Sequence, residues 1–541
     1  MNRLHLPLKM VALAAALVAG PAFATNGYFP HGYGIRAKGM GGASVAMTED
    51  SMGGANNPAT MVWAGSRLDA GLELFSPHRD AERSGAGFAT LNGSVDSDSK
   101  YFLVPELGYN RMLNNDLSVG VTVYGNGGMN TDYPEGNFNC GGGAANMLCG
   151  SGGLGVDLMQ LVVAPTVSYK INSSHSVGAS LLLGYQQFKA KGLQAFDNAP
   201  GFPPFTGAPG SVTNNGYSRS HGFGIRLGYY GRLTDVLSIG AAYAPKMNMS
   251  RFKEYAGLFA DNGDFDIPAH FAVGLSFMPV PAVTVALDYQ RIKYSGVGSV
   301  GNASSVPLPL GAAGGPGFGW RDIDVLKLGV QWRIDSAWTL RAGLNRGQNP
   351  VTSENVTFNI LAPGVMKQHY TGGFTWAMSP TDELSASLMI APRQSVSGPS
   401  MFNAVMGAGA GGSRVIIRTP PTVAPAKRVP MTTSTSPLDS RSIMVTTSLT
   451  RCWPSASNVT NTAAPGRLRA YSTPVWMAAP WPRFTGWRIT WAPARSAISA
   501  VSSRLPSSTH TTCSKTVRRS PITSPMTCAS LNAGTMIQTS R

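Results

Sequence analysis

Residues 271–290 read FAVGLSFMPVPAVTVALDYQ, and their pattern decides the fold class. Phe271, Val273, Leu275 and Phe277 alternate with Ala272, Gly274 and Ser276. Beyond Pro279-Val280-Pro281, Val283, Val285, Leu287 and Tyr289 alternate with Thr284, Ala286, Asp288 and Gln290. Successive side chains of a strand point to opposite faces, so each arm carries one apolar face and one small or polar face. Two such arms across a short turn form an antiparallel hairpin. The pattern recurs in Leu326, Leu328, Val330, Trp332 and again in Trp338, Leu340, Ala342, Leu344.

Working outward, strands are expected near 66–76, 98–112, 116–127, 158–171, 175–190, 217–233, 236–250, 267–278, 282–294, 320–334, 337–346, 365–378 and 382–393. Short turns fall at Asn114-Asn115, Asn172-Ser173-Ser174, Thr234-Asp235, Pro279-Val280-Pro281, Asp335-Ser336 and Pro380-Thr381-Asp382. A soluble sandwich shows the same alternation. Strands of ten residues or more, short turns alternating with long loops, and aromatic residues near strand ends (Tyr169, Tyr185, Tyr243, Tyr289, Trp332, Trp338, Trp376) instead fit an all-β transmembrane antiparallel barrel. Thirteen strands are clear, and fourteen are expected. An odd number leaves the wall open, with unpaired backbone groups facing lipid.

The N-terminus supports export, and the C-terminal stretch reads differently from the body. Arg3 and Lys9, the apolar run Met10 to Ala19 and the small residues Ala22 and Ala24 read as a signal peptide over 1–24. Residues 413–541 change character: they hold 16 of the 43 Lys+Arg but one of the 27 Asp+Glu, and Pro interrupts most windows. The body is therefore nearly neutral, and the basic balance is no sign of nucleic-acid binding. The fourteenth strand should follow Gly412. Arg414 to Arg418 is a short candidate stopped by Pro420 and Pro421. The stretch from 413 reads as an irregular or disordered basic tail, with a frameshift near Gly412 as the sharper explanation. The barrel is thus expected over 65–412. Cys140 and Cys149 bracket a Gly-rich loop and are expected to form a disulfide; no further Cys or His stands by them to suggest a metal.

Between signal and first strand, residues 25–64 show neither strand alternation nor a helical stripe. They are dense in glycine and contain the turn Asn57-Pro58-Ala59. We read them as a plug filling the lumen. The stretch NGYFPHGYGIRAKGMGGASVAMTEDSMGGANNPA resembles the N-terminus of the outer-membrane long-chain fatty acid transporter family, which includes channels for aromatic hydrocarbons. The resemblance continues at Val123 to Pro134, Lys253 to Phe271 and Met401 to Gly412. It implies a fourteen-stranded barrel, an N-terminal hatch and a lateral exit in the wall. It places Asn57, Pro58 and Ala59 at the hatch motif beside the third strand, where Gly125 and Gly127 suit a kink. It also implies a first substrate site between two loops. Their apolar residues are Phe202 and Phe205 in one, and Phe252, Tyr255, Leu258 and Phe259 in the other. A packed loop-on-loop core is the other reading of these residues. A carboxylate substrate would want a cation, for which Arg251 and Lys253 are nearby.

No catalytic constellation is found. His31 lies in the plug; His221 and His369 fall on expected strands and face the lumen in this reading. The expectation is an outer-membrane channel taking up hydrophobic compounds (long-chain fatty acids or aromatic hydrocarbons) in a Gram-negative bacterium. A diffusion porin, a lipid-modifying enzyme and a frameshifted product without function are the alternatives. Expected partners are hydrophobic small molecules, outer-membrane lipids and the barrel assembly machinery. Neither a cofactor nor nucleic acid is expected, and the chain is expected to be a monomer.

Overall fold

The computed structural model describes residues 26–87, 91–136, 138–140, 143–200, 204–403, 407–418 and 444–453. The signal peptide lies outside them. Fourteen strands close into one antiparallel barrel. In chain order they are β1 Ser66–Phe75, β2 Phe102–Met112, β3 Leu117–Tyr133, β4 Leu154–Lys170, β5 His175–Lys191, β6 Ser218–Arg232 and β7 Leu237–Ala244. They continue with β8 His270–Val280, β9 Val283–Ile292, β10 Ile323–Arg333, β11 Trp338–Gly347, β12 Gln368–Ala377, β13 Asp382–Ile390 and β14 Met444–Trp453. The thirteen strands expected from alternation are all present. β3 runs six residues further than expected, and β7 stops six residues sooner.

The closing strand does not follow Gly412 directly. Gly412–Arg418 is a strand, but it joins a small sheet outside the barrel, in the order Gln394–Pro399, Gly412–Arg418, His78–Ser84, Gly93–Asp96. β14 comes from the stretch read as tail. It pairs with β1 from Ser66↔Trp453 to Leu74↔Val445 and with β13 from Asp382↔Arg451 to Met389↔Met444. The physical reason is closure: both edges would otherwise carry unpaired N–H and C=O groups in hydrocarbon. Residues 419–443 and 454–541 lie outside the described residues.

The wall is inverted relative to a soluble protein. Val273 and Leu275 on β8, Leu287 on β9 and Leu326, Leu328 and Val330 on β10 face outward, with Phe223 on β6 as much as 75% exposed. Ser168 on β4, Ser176 and Gln186 on β5, Ser276 on β8 and Gln331 on β10 are buried inside. Outward Tyr169, Trp338 and Trp376 mark the end with the short turns; outward Tyr185, Tyr243 and Tyr370 mark the other. These are the two aromatic girdles of an outer-membrane barrel, the short turns periplasmic and the long loops extracellular.

Candidate functional site

The hatch fills the periplasmic half of the lumen. Its regular structure is slight: a helix α1, Ile35–Gly39, and 3-10 turns Met52–Gly54 and Pro58–Trp63. A chain without a ladder must satisfy its backbone groups elsewhere. The inward side chains of the wall do this. Asp288 accepts from Ser44 N (2.7 Å) and Val45 N (3.0 Å). Thr371 accepts from Gly41 N (2.8 Å) and donates to Gly39 O (3.0 Å). Asn110 donates to Met61 O and Gly65 O, both at 2.7 Å. Ser168 and Ser176 donate to Ala59 O. Close approach is possible because the wall offers glycine: a Cβ on Gly343 would stand 2.1 Å from Gly41 N.

Ion pairs join hatch to wall. Lys38 Nζ is 2.6 Å from Glu73 and 2.7 Å from Glu106, and all three side chains are buried. Burial alone would pull the ammonium down; the Glu106 and Glu73 carboxylates outweigh it and hold the lysine above its usual pKa. Arg36 pairs with Glu383, and Glu49 with Arg341 at 3.1 Å. His31 stacks on His369, ring centroids 5.8 Å apart, and burial followed by that neighbour pushes His31 well below the usual range. His31 is thus a neutral structural group. His369 points inward as expected; His221 is exposed on the outer face, because it sits out of phase with the buried Ser220. A small cavity of about 20 Å³ lies against Arg36, Met40, Ser44, Glu49, Thr60 and Arg341.

The wall has an irregular seam between β2 and β3. β2 and β3 pair only from Met112↔Ser118 to Leu107↔Val123. Above that β2 stays with β1 as far as Phe102↔Phe75, and β3 stays with β4 as far as Tyr133↔Leu154. The register of β3 against β4 slips at Gly125/Gly127, leaving Asn126 as the extra residue of a bulge. The strands therefore diverge, and Asp98 N donating to Asp132 O (2.7 Å) bridges the seam at its extracellular end. The hatch residues that meet the bulge are Tyr28 and Tyr33. Gly128 N donates to Tyr28 O (3.3 Å), and Tyr33 Oη donates to the Asn126 side chain (3.3 Å). Asn57, Pro58 and Ala59 are elsewhere. Asn57 caps its 3-10 turn through Ala59 N (3.1 Å) and donates to Tyr229 O (2.8 Å) on β6, while Pro58 abuts Gly178 on β5. The structure does not bring that motif together with Gly125 and Gly127, because the turn it caps must run along β4–β6 to find hydroxyl partners. Sequence reading missed Tyr28, Tyr33 and Lys38; their contacts lie more than 30 residues away along the chain.

Above the hatch, the apolar loop residues are buried against one another. Phe252, Tyr255 and Phe259 surround Phe188 of β5 with centroids at 5.7, 4.9 and 4.7 Å. Leu258 is buried beside them. Phe205 packs on Phe196 (5.3 Å), and Phe196 reaches Phe358 and Phe402. Phe202 lies outside the described residues. Arg251 and Lys253 are exposed. The cluster is continuous downward through Phe265 to Tyr28, Tyr294 and Trp320, with Tyr28–Tyr294 at 5.2 Å and Tyr294–Trp320 at 5.1 Å. An apolar column thus leads from the loops to the hatch N-terminus, which in turn touches the seam. Cys140 and Cys149 are joined, Cα atoms 5.7 Å apart, in the loop between β3 and β4.

A plugged closed barrel with an inward polar face, an outward apolar belt and an apolar column above the plug defines an outer-membrane transport protein. The family model described as outer membrane protein transport protein (OMPP1/FadL/TodX) matches residues 11–397, and the chain belongs to that family. Its work is transport at the outer membrane, not catalysis. Among solved structures, the P. putida toluene transporter TodX matches with TM-score 0.54 and 19% identity, over 78% of this chain and 99% of that one. The Ralstonia pickettii toluene transporter TbuX gives 0.51 and 17%, over 78% and 99%. A Pseudomonas aeruginosa FadL homologue gives 0.53 and 14%, over 79% and 99%. At these identities the likeness is one of fold. No match is found among curated proteins.

Proposed function

We propose that this chain takes up hydrophobic small molecules. They enter the apolar column between the extracellular loops, pass to the hatch N-terminus at Tyr28, and leave sideways through the β2–β3 seam at Gly125 and Gly127. The observation that carries this is the continuity of buried aromatic side chains from Phe252 to Tyr28, ending at the bulged seam. An apolar solute gains about 25 cal/mol per Å² on leaving water, so an apolar path competes for it where an aqueous pore would not. Phe252, Tyr255, Leu258 and Phe259 are buried and Phe205 is half-buried, so side chains must move to admit a guest. The similar TodX and TbuX structures are those of toluene transporters, which supports an aromatic hydrocarbon; a fatty acid is the second reading. The closed wall supports a monomer inserted by the barrel assembly machinery into outer-membrane lipid.

The test is uptake of labelled toluene and of a long-chain fatty acid by a strain with and without the gene, beside planar-bilayer conductance. Gene-dependent uptake with low, unsteady conductance is expected. A large steady current with no gene-dependent uptake of either cargo would identify a diffusion pore.

A further inference from the structure

The wall is also broken between β6 and β7. β6 pairs with β5 along its length, from Ser218↔Phe188 to Gly231↔His175. Its other edge pairs with β7 only from Arg232↔Ser238 to Leu227↔Tyr243. Contact resumes at the bridge Gly222↔Met249, beside which Ser250 N donates to His221 O (2.8 Å). The register slips by one residue in between. Among the described residues, no hydrogen bond joins 223–226 to 244–248. Pro245 explains the stop, since it has no N–H to give a ladder. Alternation from His221 turns the N–H and C=O of Phe223 and Ile225 toward the gap. The gap is at lipid height: Phe223, Ile225 and Leu227 are exposed on the outer face, flanked by the girdle residues Tyr185 and Tyr243. Backbone without a ladder is tolerated at this depth only where protein covers it. Met247 and Met249 give that cover from inside. Both are buried, and both lie on glycine: a Cβ on Gly184 would stand 2.7 Å from Met247 Sδ, and one on Gly222 2.5 Å from Met249 Sδ. Gly184 and Gly222 are directly paired, so the wall bears no side chains where the thioethers rest on it. The two methionines belong to the same apolar cluster as Phe252, Phe265 and Tyr28. They thus stand between the lipid-facing gap and the column, and an unbranched thioether changes rotamer easily.

We propose that the β6–β7 gap is a lateral entrance. A neutral apolar compound dissolved in the outer leaflet passes between the strands above Leu227↔Tyr243 as they part and Met247 and Met249 swing aside. This rests on the uptake reading and adds a second source of cargo, the membrane itself. The gap is an entrance rather than an exit because of where it joins the column. Met249 N donates to Asp266 (2.7 Å), next to Phe265, and Phe265 precedes Tyr28 on the way to the hatch. The β2–β3 seam meets the column only at Tyr28. The gap opens on hydrocarbon, so it admits uncharged compounds; a charged group would lose its water there without a partner.

The test uses the full chain in phospholipid vesicles that carry a diazirine-bearing alkane, which labels what it touches on illumination. In wild type, Met247 and Met249 should be labelled severalfold above Met61, a fully buried hatch residue, with or without reductant. The double variant His221→Cys, Ser250→Cys can form a disulfide across the top of the gap, since directly opposed residues stand about 5.5 Å apart, within a disulfide's reach. In its oxidised form the label on both methionines should fall to the level of Met61 and return on reduction, with heat-modifiable migration unchanged. Label on Met247 and Met249 no higher than on Met61 in wild type would overturn the entrance, and this outcome needs no variant to fold. Label that persists in the folded, oxidised variant would overturn it as well, because the alkane would then arrive by another route. Gene-dependent uptake of water-borne labelled toluene is measured alongside. Its absence would remove the uptake reading itself, whereas its presence with unlabelled methionines would remove the entrance alone.

Discussion

Lys38 shows how a single buried charge ties the plug to its wall. It faces Glu73 of β1 and Glu106 of β2, and Glu106 also accepts from Gly34 N at 3.2 Å. Removing one member of a buried ionic set costs about 3–5 kcal/mol, because the partner charges stay behind. Lys38→Met should therefore loosen the hatch and raise bilayer conductance, and adding Glu106→Gln should recover part of the loss. Asp50 provides the pH dependence. Burial, then the neighbouring Asp69, raises its carboxyl to about 6. The protonated form is thus favoured in the docked hatch. Its contribution is complete below the unfolded aspartate value of about 3.9 and is lost as pH rises through the folded value. Glu49 acts with the opposite sign: burial would raise its pKa, but Arg341 and Arg36 hold it lowered. The difference between wild type and Asp50→Asn isolates the Asp50 term. Intrinsic-rate-corrected hydrogen exchange around residue 50 should accelerate from about pH 4 to 6.5 more in wild type than in the variant. Identical pH slopes would show that Asp50 is not the group responsible.

At the scale of elements, the seam depends on a strand that bends because it can. Gly125, Asn126 and Gly127 allow the bulge, and Tyr28 occupies the space that side chains would take. A Cβ on Gly127 would lie 2.4 Å from Tyr28 O. Gly127→Val should push the hatch N-terminus away from the seam and lower uptake several-fold, while the barrel still migrates as a heat-modifiable band. Unchanged uptake in a folded variant would show that the contact is not on the path. The bulge was legible in the sequence as a glycine cluster near the end of an alternating strand. The identity of its partner was not: the hatch motif Asn57-Pro58-Ala59 had the stronger local signal, yet its hydrogen bonds go to β4, β5, β6 and the hatch itself.

For the whole molecule, closure is the deciding condition. β14 gives β1 and β13 their second neighbours, and it is drawn from MVTTSLTRCW, a Thr-rich run free of proline inside a proline-rich stretch. Its β-branched content was the available signal. The charge and proline content around it hid that signal. A chain ending at residue 418 should lose heat-modifiable migration, whereas one ending at residue 460 should keep it. If the shorter chain still forms a closed, protease-resistant barrel, then Met444–Trp453 is not the strand that closes it.

By itself the sequence determined the wall. Period-2 alternation is local, so thirteen strands, their short turns and the face given to lipid could be read residue by residue, and glycine density marked a plug between export signal and first strand. Tertiary structure alone decided what the plug touches, because a segment without a ladder takes its hydrogen bonds from whichever wall side chains lie opposite. It also decided that Phe252 and Phe259 are buried in one column with Phe188 and Phe265, and that the last strand comes from beyond residue 440. Those outcomes depend on closing a cylinder and filling it, and no local pattern encodes either.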